Sequence, residues 1–182
     1  MLSHKQGLSD VGHYEMGQKF SGILKIYIDA IGKAFSPFIL ERLELKGKND
    51  KEKTVIYFYW NFFTVLVFAL TLSLFSEEML KILTTSEFHI VKFVVPILAF
   101  YYLLGSISYL TTNQIISSEK LHSFLLISAL GLSLNIVFNL VLIPQFGVYG
   151  AAAATVLAAT ISAIVQLFLA NRLVPLPVNY VK

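Results

Sequence analysis

Residues 54–75, TVIYFYWNFFTVLVFALTLSLF, contain no charged side chain. A helix needs roughly 20 apolar residues to cross a hydrocarbon core of about 30 Å. Loops and open strands cannot cross it, because their backbone groups would go unpaired. The rest of the chain has the same character: 56% of residues are hydrophobic, only 14% are charged, and mean hydropathy is +0.71. The expected fold is therefore an all-α membrane protein, a bundle of about five transmembrane helices forming a single partial transmembrane domain over residues 1–182.

The five expected spans are about 18–40, 54–75, 89–111, 123–143 and 149–170. The first is the least apolar, with Lys19, Lys25, Asp29 and Lys33 inside it. The third holds Pro96, where a kink is expected. Between the first two spans lies ERLELKGKNDKEK, residues 41–53, which reads as a mixed-charge loop. SEEMLKILTTSEF, residues 76–88, has room for a short interfacial helix. The opening MLSHKQGLSDVGHYEMG lacks the apolar core of a cleavable signal peptide. Cysteine is absent, which excludes disulfides and thiolate metal sites. The net charge of +3 is not spread as a nucleic-acid footprint would be, so no nucleic-acid partner is expected.

Lys and Arg set the orientation. If 41–53 is cytoplasmic, alternation puts 112–122 and the C-terminal tail on the same side. Those segments carry Arg42, Lys46, Lys48, Lys51, Lys53, Lys120, Arg172 and Lys182, against Lys81 alone in 76–88 and 144–148. The C-terminus is expected inside and the N-terminus outside. Tyr57, Phe58, Tyr59 and Trp60 follow the basic segment, where an interfacial aromatic belt belongs.

The first span carries the strongest candidate site. At about 100° per residue, Gln18, Gly22, Lys25, Asp29, Lys33 and Ser36 share one sector of roughly 80°. Ile23, Leu24, Tyr27, Ile31, Ala34 and Phe35 lie on other faces. A lysine facing mid-bilayer lipid costs roughly 3 kcal/mol, which turns such a stripe toward a bundle interior or a watery cavity. Lys25, Asp29 and Lys33 also form an i, i+4, i+8 ladder in which Asp29 can pair with either lysine. One reading is a cationic cavity wall that holds a phosphate or pyrophosphate. The other is a neutralised interfacial stripe with snorkelling lysines.

Other polar positions read as structure. Asn135 and Asn139, four apart, are helix-to-helix glue. Pro144, Gly147, Gly150 and the alanines at 151–154 mark a tight turn and a close helix contact. Asn113 and Gln114 sit where a cavity mouth or loop solvation would place them. His89 and His122 lie at span ends. Glu77, Glu78 and Glu87 share one loop with no histidine cluster beside them. No nucleophile elbow, phosphate-cradling glycine loop or metal-ligand spacing occurs, so neither enzyme activity nor a cofactor or metal is expected.

The pattern Asn135-x3-Asn139-x2-Leu142-Ile143-Pro144-x2-Gly147-x2-Gly150-Ala151-Ala152-x-Ala154-Thr155 resembles the closing helix pair of polysaccharide (O-antigen type) flippases. These belong to the multidrug/oligosaccharidyl-lipid/polysaccharide exporter superfamily. Val11-Gly12-His13-Tyr14, followed by a Lys19-bearing run ending Ala34-Phe35-Ser36-Pro37-Phe38, is similar to their eighth helix. The resemblance implies two lobes around a central cavity and alternating access. It also implies a cargo of undecaprenyl-pyrophosphate-linked oligosaccharide, moved across the cell inner (cytoplasmic) membrane, with a cytoplasmic C-terminus. Lys25 and Lys33 fall on the helix whose cationic residues are thought to meet the pyrophosphate.

Whole flippases have about twelve to fourteen spans, with two bodies rocking about a shared site. Five spans correspond to most of the C-terminal lobe, so the fragment alone is expected to be inactive. The partners implied are the lipid-linked oligosaccharide, membrane lipids and the missing N-terminal lobe, on the same or a separate polypeptide. Two other readings stand: a multidrug and toxin extrusion type antiporter with Asp29 as its cation-coupled carboxylate, and a non-transporting membrane assembly subunit.

Overall fold

The computed structural model describes residues 8–45 and 47–176, and it is all helical with no strand among them. Five helices and a 3₁₀ segment follow in order: α1 Leu8–Leu45, α2 Lys48–Leu74, α3 Ser76–Leu83, the 3₁₀ turn Ser86–Phe93, α4 Val94–Ser117 and α5 Leu121–Leu173. Three stretches are long and apolar enough to cross a membrane: Asn49–Leu74, Ser86–Ser117 and Leu121–Leu173. This is an all-α membrane protein. α1, which holds the expected first and least apolar span, is not among the three, because Lys19, Lys25, Asp29 and Lys33 interrupt its apolar run.

Helices cover all five expected stretches, but the connections are shorter than the sequence reading has them. Segment 41–53 is not a loop: α1 runs to Leu45 and α2 begins at Lys48. Its charges decorate helix ends, and Arg42 Nη1 lies 3.7 Å from Asp50 Oδ1 across the junction. Lys46 and Lys182, used in the orientation count, and the polar head through Gly7 lie outside the described residues. Pro37 lies within α1, which continues another two turns beyond it. Pro96 does not kink a span. It occupies the first turn of α4, directly after the 3₁₀ segment, where a missing N–H removes no helical bond.

The expected Pro/Gly turn is a single residue. Pro144 stays helical, and Gly147 alone leaves helical geometry, at φ 56° and ψ −128°. Straight, α5 would measure roughly 80 Å, more than twice the hydrocarbon core. Gly147 folds it back into two antiparallel halves, 121–146 and 148–173. Asn135 Nδ2 then reaches Thr155 Oγ1 at 3.5 Å, Gly131 faces Ser162, and Gly150 sits against the Leu142 carbonyl.

α4 is the central helix, packed against α1, α2 and α5. Val94, Val95, Leu98, Ala99, Leu103, Ser106 and Leu110 are buried along it at helical spacing. Leu24, Ala69, Leu72, Leu80 and Ala152 join its first turns in one apolar cluster. Ile39 and Leu43 meet Leu110 further along, and Ile115 packs with Ile127 and Ala170 at the far end. On α1 the buried face is Ser21, Leu24, Ile28, Gly32, Ile39 and Leu43, with Gly32 under the Tyr109 ring. Ile23 and Phe35, on the faces away from the polar stripe, are exposed.

The helix ends sort into two groups. At one, His13 Nε2 donates to Glu87 O at 3.1 Å and Tyr149 Oη donates to Ile90 O at 3.2 Å. At the other, Lys51 Nζ donates to Pro175 O at 3.2 Å and Gln114 Nε2 to Val174 O at 2.9 Å. This pairing matches the alternation used for orientation. The amphipathic α3 appears where a short interfacial helix is expected. Glu77 accepts from both Lys81 and Lys92 at 2.9 Å, tying α3 to the 3₁₀ segment.

Two outcomes test this arrangement. Gly150→Ala drives a methyl into the Leu142 carbonyl and should cost about 1–3 kcal/mol, while Gly12→Ala, with open space around it, should be neutral. Thermal unfolding in detergent reads both, and equal midpoints for the two variants would contradict the hairpin. Hydrogen bonds from Lys81 and then Lys92, followed by their charges, lower the Glu77 carboxyl from 4.5 to about 2. A depressed folded value gives stability that is full above pH 4.5 and lost as pH falls toward 2. The midpoint difference between the natural chain and Glu77→Gln should shrink over that window, most clearly at low salt.

Candidate functional site

Between α1, α4 and both halves of α5 lies a cleft of about 790 Å³. Lys25 and Asp29 line it from α1, together with Tyr14 and Gln18. This follows from the register of α1, where the polar stripe flanks the buried face rather than opposing it. Lys33, one turn further, is exposed but not among the lining residues. The expected Lys25–Asp29–Lys33 ladder does not close: no ion pair among the described residues includes any of the three. Lys25 and Asp29 therefore face the cleft as separate charges.

α4 supplies a second wall that the sequence reading passed over. Tyr101, Gly105, Ser108 and Thr112 recur every three to four residues along one face, with Tyr102 and Tyr109 beside them. That polar, aromatic stripe is the signal that was available in the sequence, hidden by the high hydropathy of the helix. The rings of Tyr101 and Tyr102 meet nearly edge-on with centroids 5.0 Å apart. On the third wall, Gln166 is buried, and its Nε2 donates to Ser108 O at 3.1 Å and to Thr112 Oγ1 at 2.9 Å.

Of the asparagine pair, Asn135 reaches the other half of α5, while Asn139 bonds within its own half. Asn139 Nδ2 donates to Asn135 Oδ1 and Asn135 O at 2.8 Å, and Asn135 crosses to Thr155. Thr155 Oγ1 donates to Ala151 O at 3.0 Å and accepts from Tyr14 Oη at 3.1 Å, while Gln18 Nε2 donates to Tyr14 Oη at 3.3 Å. One polar chain thus joins α1 to both halves of α5 at the cleft. Pro144, Gly147 and Gly150 lie at the fold of the hairpin, and Gly147 lines a smaller cavity of about 430 Å³ there.

Asn113 and Gln114 are buried rather than solvated, at 2% and 1% exposure. Ser36 Oγ donates to Asn113 Oδ1 at 2.6 Å, locking α1 to α4 below the cleft. Glu77 is held in ion pairs, Trp60 and Tyr59 point outward as a belt would, and no metal-binding cluster occurs among the described residues.

No known family profile matches this chain, and no solved structure matches it. Among curated proteins it is similar to the probable low-salt glycan biosynthesis flippase Agl15 of Haloferax volcanii, 24% identical over 180 residues and 94% of this chain. The chain spans 37% of the length of that relative. The likeness is at the level of a glycan flippase and goes no finer.

Gln166→Leu removes both bonds to α4 and should cost about 1–2 kcal/mol. Thermal unfolding of the purified protein measures it, and no loss would show that the cleft wall does not depend on this residue.

Proposed function

We propose that this chain is the C-terminal part of a membrane transporter that flips lipid-linked oligosaccharide across the cytoplasmic membrane, with its C-terminus cytoplasmic. In its finer form, the cargo is a polysaccharide or O-antigen repeat unit on undecaprenyl pyrophosphate. One observation carries the reading: Lys25 opens, without an ion-pair partner among the described residues, onto a cleft walled by tyrosines, hydroxyls and amides.

A lysine ammonium is a compact charge suited to phosphate, and its attraction strengthens where water is thinned. The tyrosine faces and the Ser108 and Thr112 hydroxyls suit a saccharide, which offers both apolar ring faces and hydroxyls. Asp29 limits the net charge of the wall, so that the anion can leave as well as enter. Similarity to a glycan biosynthesis flippase supports the cargo class, and the Lys/Arg asymmetry supports the orientation. Alternating access needs a second body, so the fragment alone is inactive and acts with an N-terminal lobe. The role is transport rather than catalysis.

In the complete transporter, Lys25→Ala should lower glycan export about ten-fold or more, the scale of a lost charge-assisted contact. Lys33→Ala, off the cleft, should lower it far less. Export of the glycan at matched protein level is the measurement. Normal export by Lys25→Ala, or equal losses in both variants, would remove the cleft from the transport path.

A further inference from the structure

A groove unrelated to the cleft opens on the outer side of the α1–α2 pair. The two helices run antiparallel, with Tyr27 bonded to Thr64, Phe35 stacked on Tyr57 at 4.5 Å and Arg42 facing Asp50. Phe35, Phe38, Arg42, Lys53, Thr54 and Tyr57 line a cavity of about 260 Å³ there, and no carboxylate lines it. Both walls change character in the same direction. Arg42 and Lys53 stand at the helix ends, whereas Phe38 and Phe35 lie one and two turns deeper, about 6 and 10 Å along the axis.

The cations are available. Among the described residues, Lys53 is exposed and has no ion pair, and Arg42 makes only its 3.7 Å contact with Asp50, which leaves further guanidinium donors to a ligand. Phe38 is 58% exposed, although it sits in a chain whose apolar surface faces lipid. Tyr59 and Trp60 mark the same depth on α2.

We propose that this groove binds an anionic phospholipid, with its phosphate between Arg42 and Lys53 and one acyl chain along Phe38 and the stacked Phe35–Tyr57 pair. Basic pockets between membrane helices at a lysine-rich end hold anionic headgroups in this manner. A soluble anionic partner would meet the cations but leave the aromatic floor unused. The inference rests on the membrane fold and is independent of the cargo.

Native mass spectrometry of the full-length protein tests it, with phosphatidylglycerol, phosphatidylcholine of the same chains, or inorganic phosphate added. Phosphatidylglycerol adducts should exceed phosphatidylcholine adducts at least ten-fold. Lys53→Gln should weaken phosphatidylglycerol binding about 5-fold, and Arg42→Gln with Lys53→Gln about 25-fold, at roughly one such factor per cation. Arg42→Lys with Lys53→Arg should keep it. Lys53→Gln changes an exposed, unpaired side chain, so its result stands even if the double variant misfolds. Equal retention of both lipids, unchanged binding by Lys53→Gln, or displacement of phosphatidylglycerol by millimolar inorganic phosphate would overturn the assignment.

Discussion

Close approach of helix backbones through small side chains is the contact on which this structure depends. In lipid no hydrophobic force draws two helices together, so association rests on dispersion contacts and interhelical hydrogen bonds. The second half of α5 presents Gly150, Ala154 and Ala158, then Ala163, Gln166 and Ala170, as a buried stripe. A large side chain at Gly150 would part the two halves of α5, and one at Ala170, beside Ile115, would push α5 away from α4 and strain the Gln166 bonds to Ser108 and Thr112. The same device recurs on α1, where Gly17 nests against Val91 and Val94, and Gly32 beneath Tyr109. The cleft exists because these seams close on either side of it.

Within that frame, the polar groups divide by whether their bonding is complete. Asn113, Gln114 and Gln166 are buried and bonded to neighbouring helices, which makes them fasteners. Lys25 and Asp29 lie within a turn of each other and make no ion pair. A bundle under selection for packing alone would have little use for two such charges beside a tyrosine-lined cleft, since charges at membrane depth are costly.

Helix placement was legible in the sequence because apolar runs of spanning length leave few alternatives. Register on α1 is legible in part: the polar stripe stands out at helical spacing, but nothing in hydropathy separates buried Leu24 from exposed Ile23 and Phe35 on the other faces. Exposed apolar residues are indistinguishable from buried ones when the solvent is lipid, and only 11% of the most apolar window of α5 is buried inside the protein. The 41–53 segment was misjudged for a related reason. Charge excludes a segment from lipid without excluding it from a helix, and α1 and α2 simply project past the apolar layer. The α4 wall escaped notice because tyrosine, serine and threonine barely lower hydropathy, although their spacing of three and four was present.

The one-residue bend at Gly147 also bears on how the chain enters a bilayer. Residues 143–150, IPQFGVYG, carry no charge, while Lys120 and Arg172 stand at the opposite ends of the two halves. A turn this short and uncharged can be carried across with little desolvation cost, whereas the basic ends resist passage. Asn139 and Thr155 bond within their own halves, to Asn135 and to Ala151 O, whereas Asn135 Nδ2 would lack a partner in hydrocarbon if its half inserted alone. Folded as a hairpin, it reaches Thr155 Oγ1 on the other half from the start. The two halves of α5 are thus suited to insertion as one prefolded unit, with the bend leading.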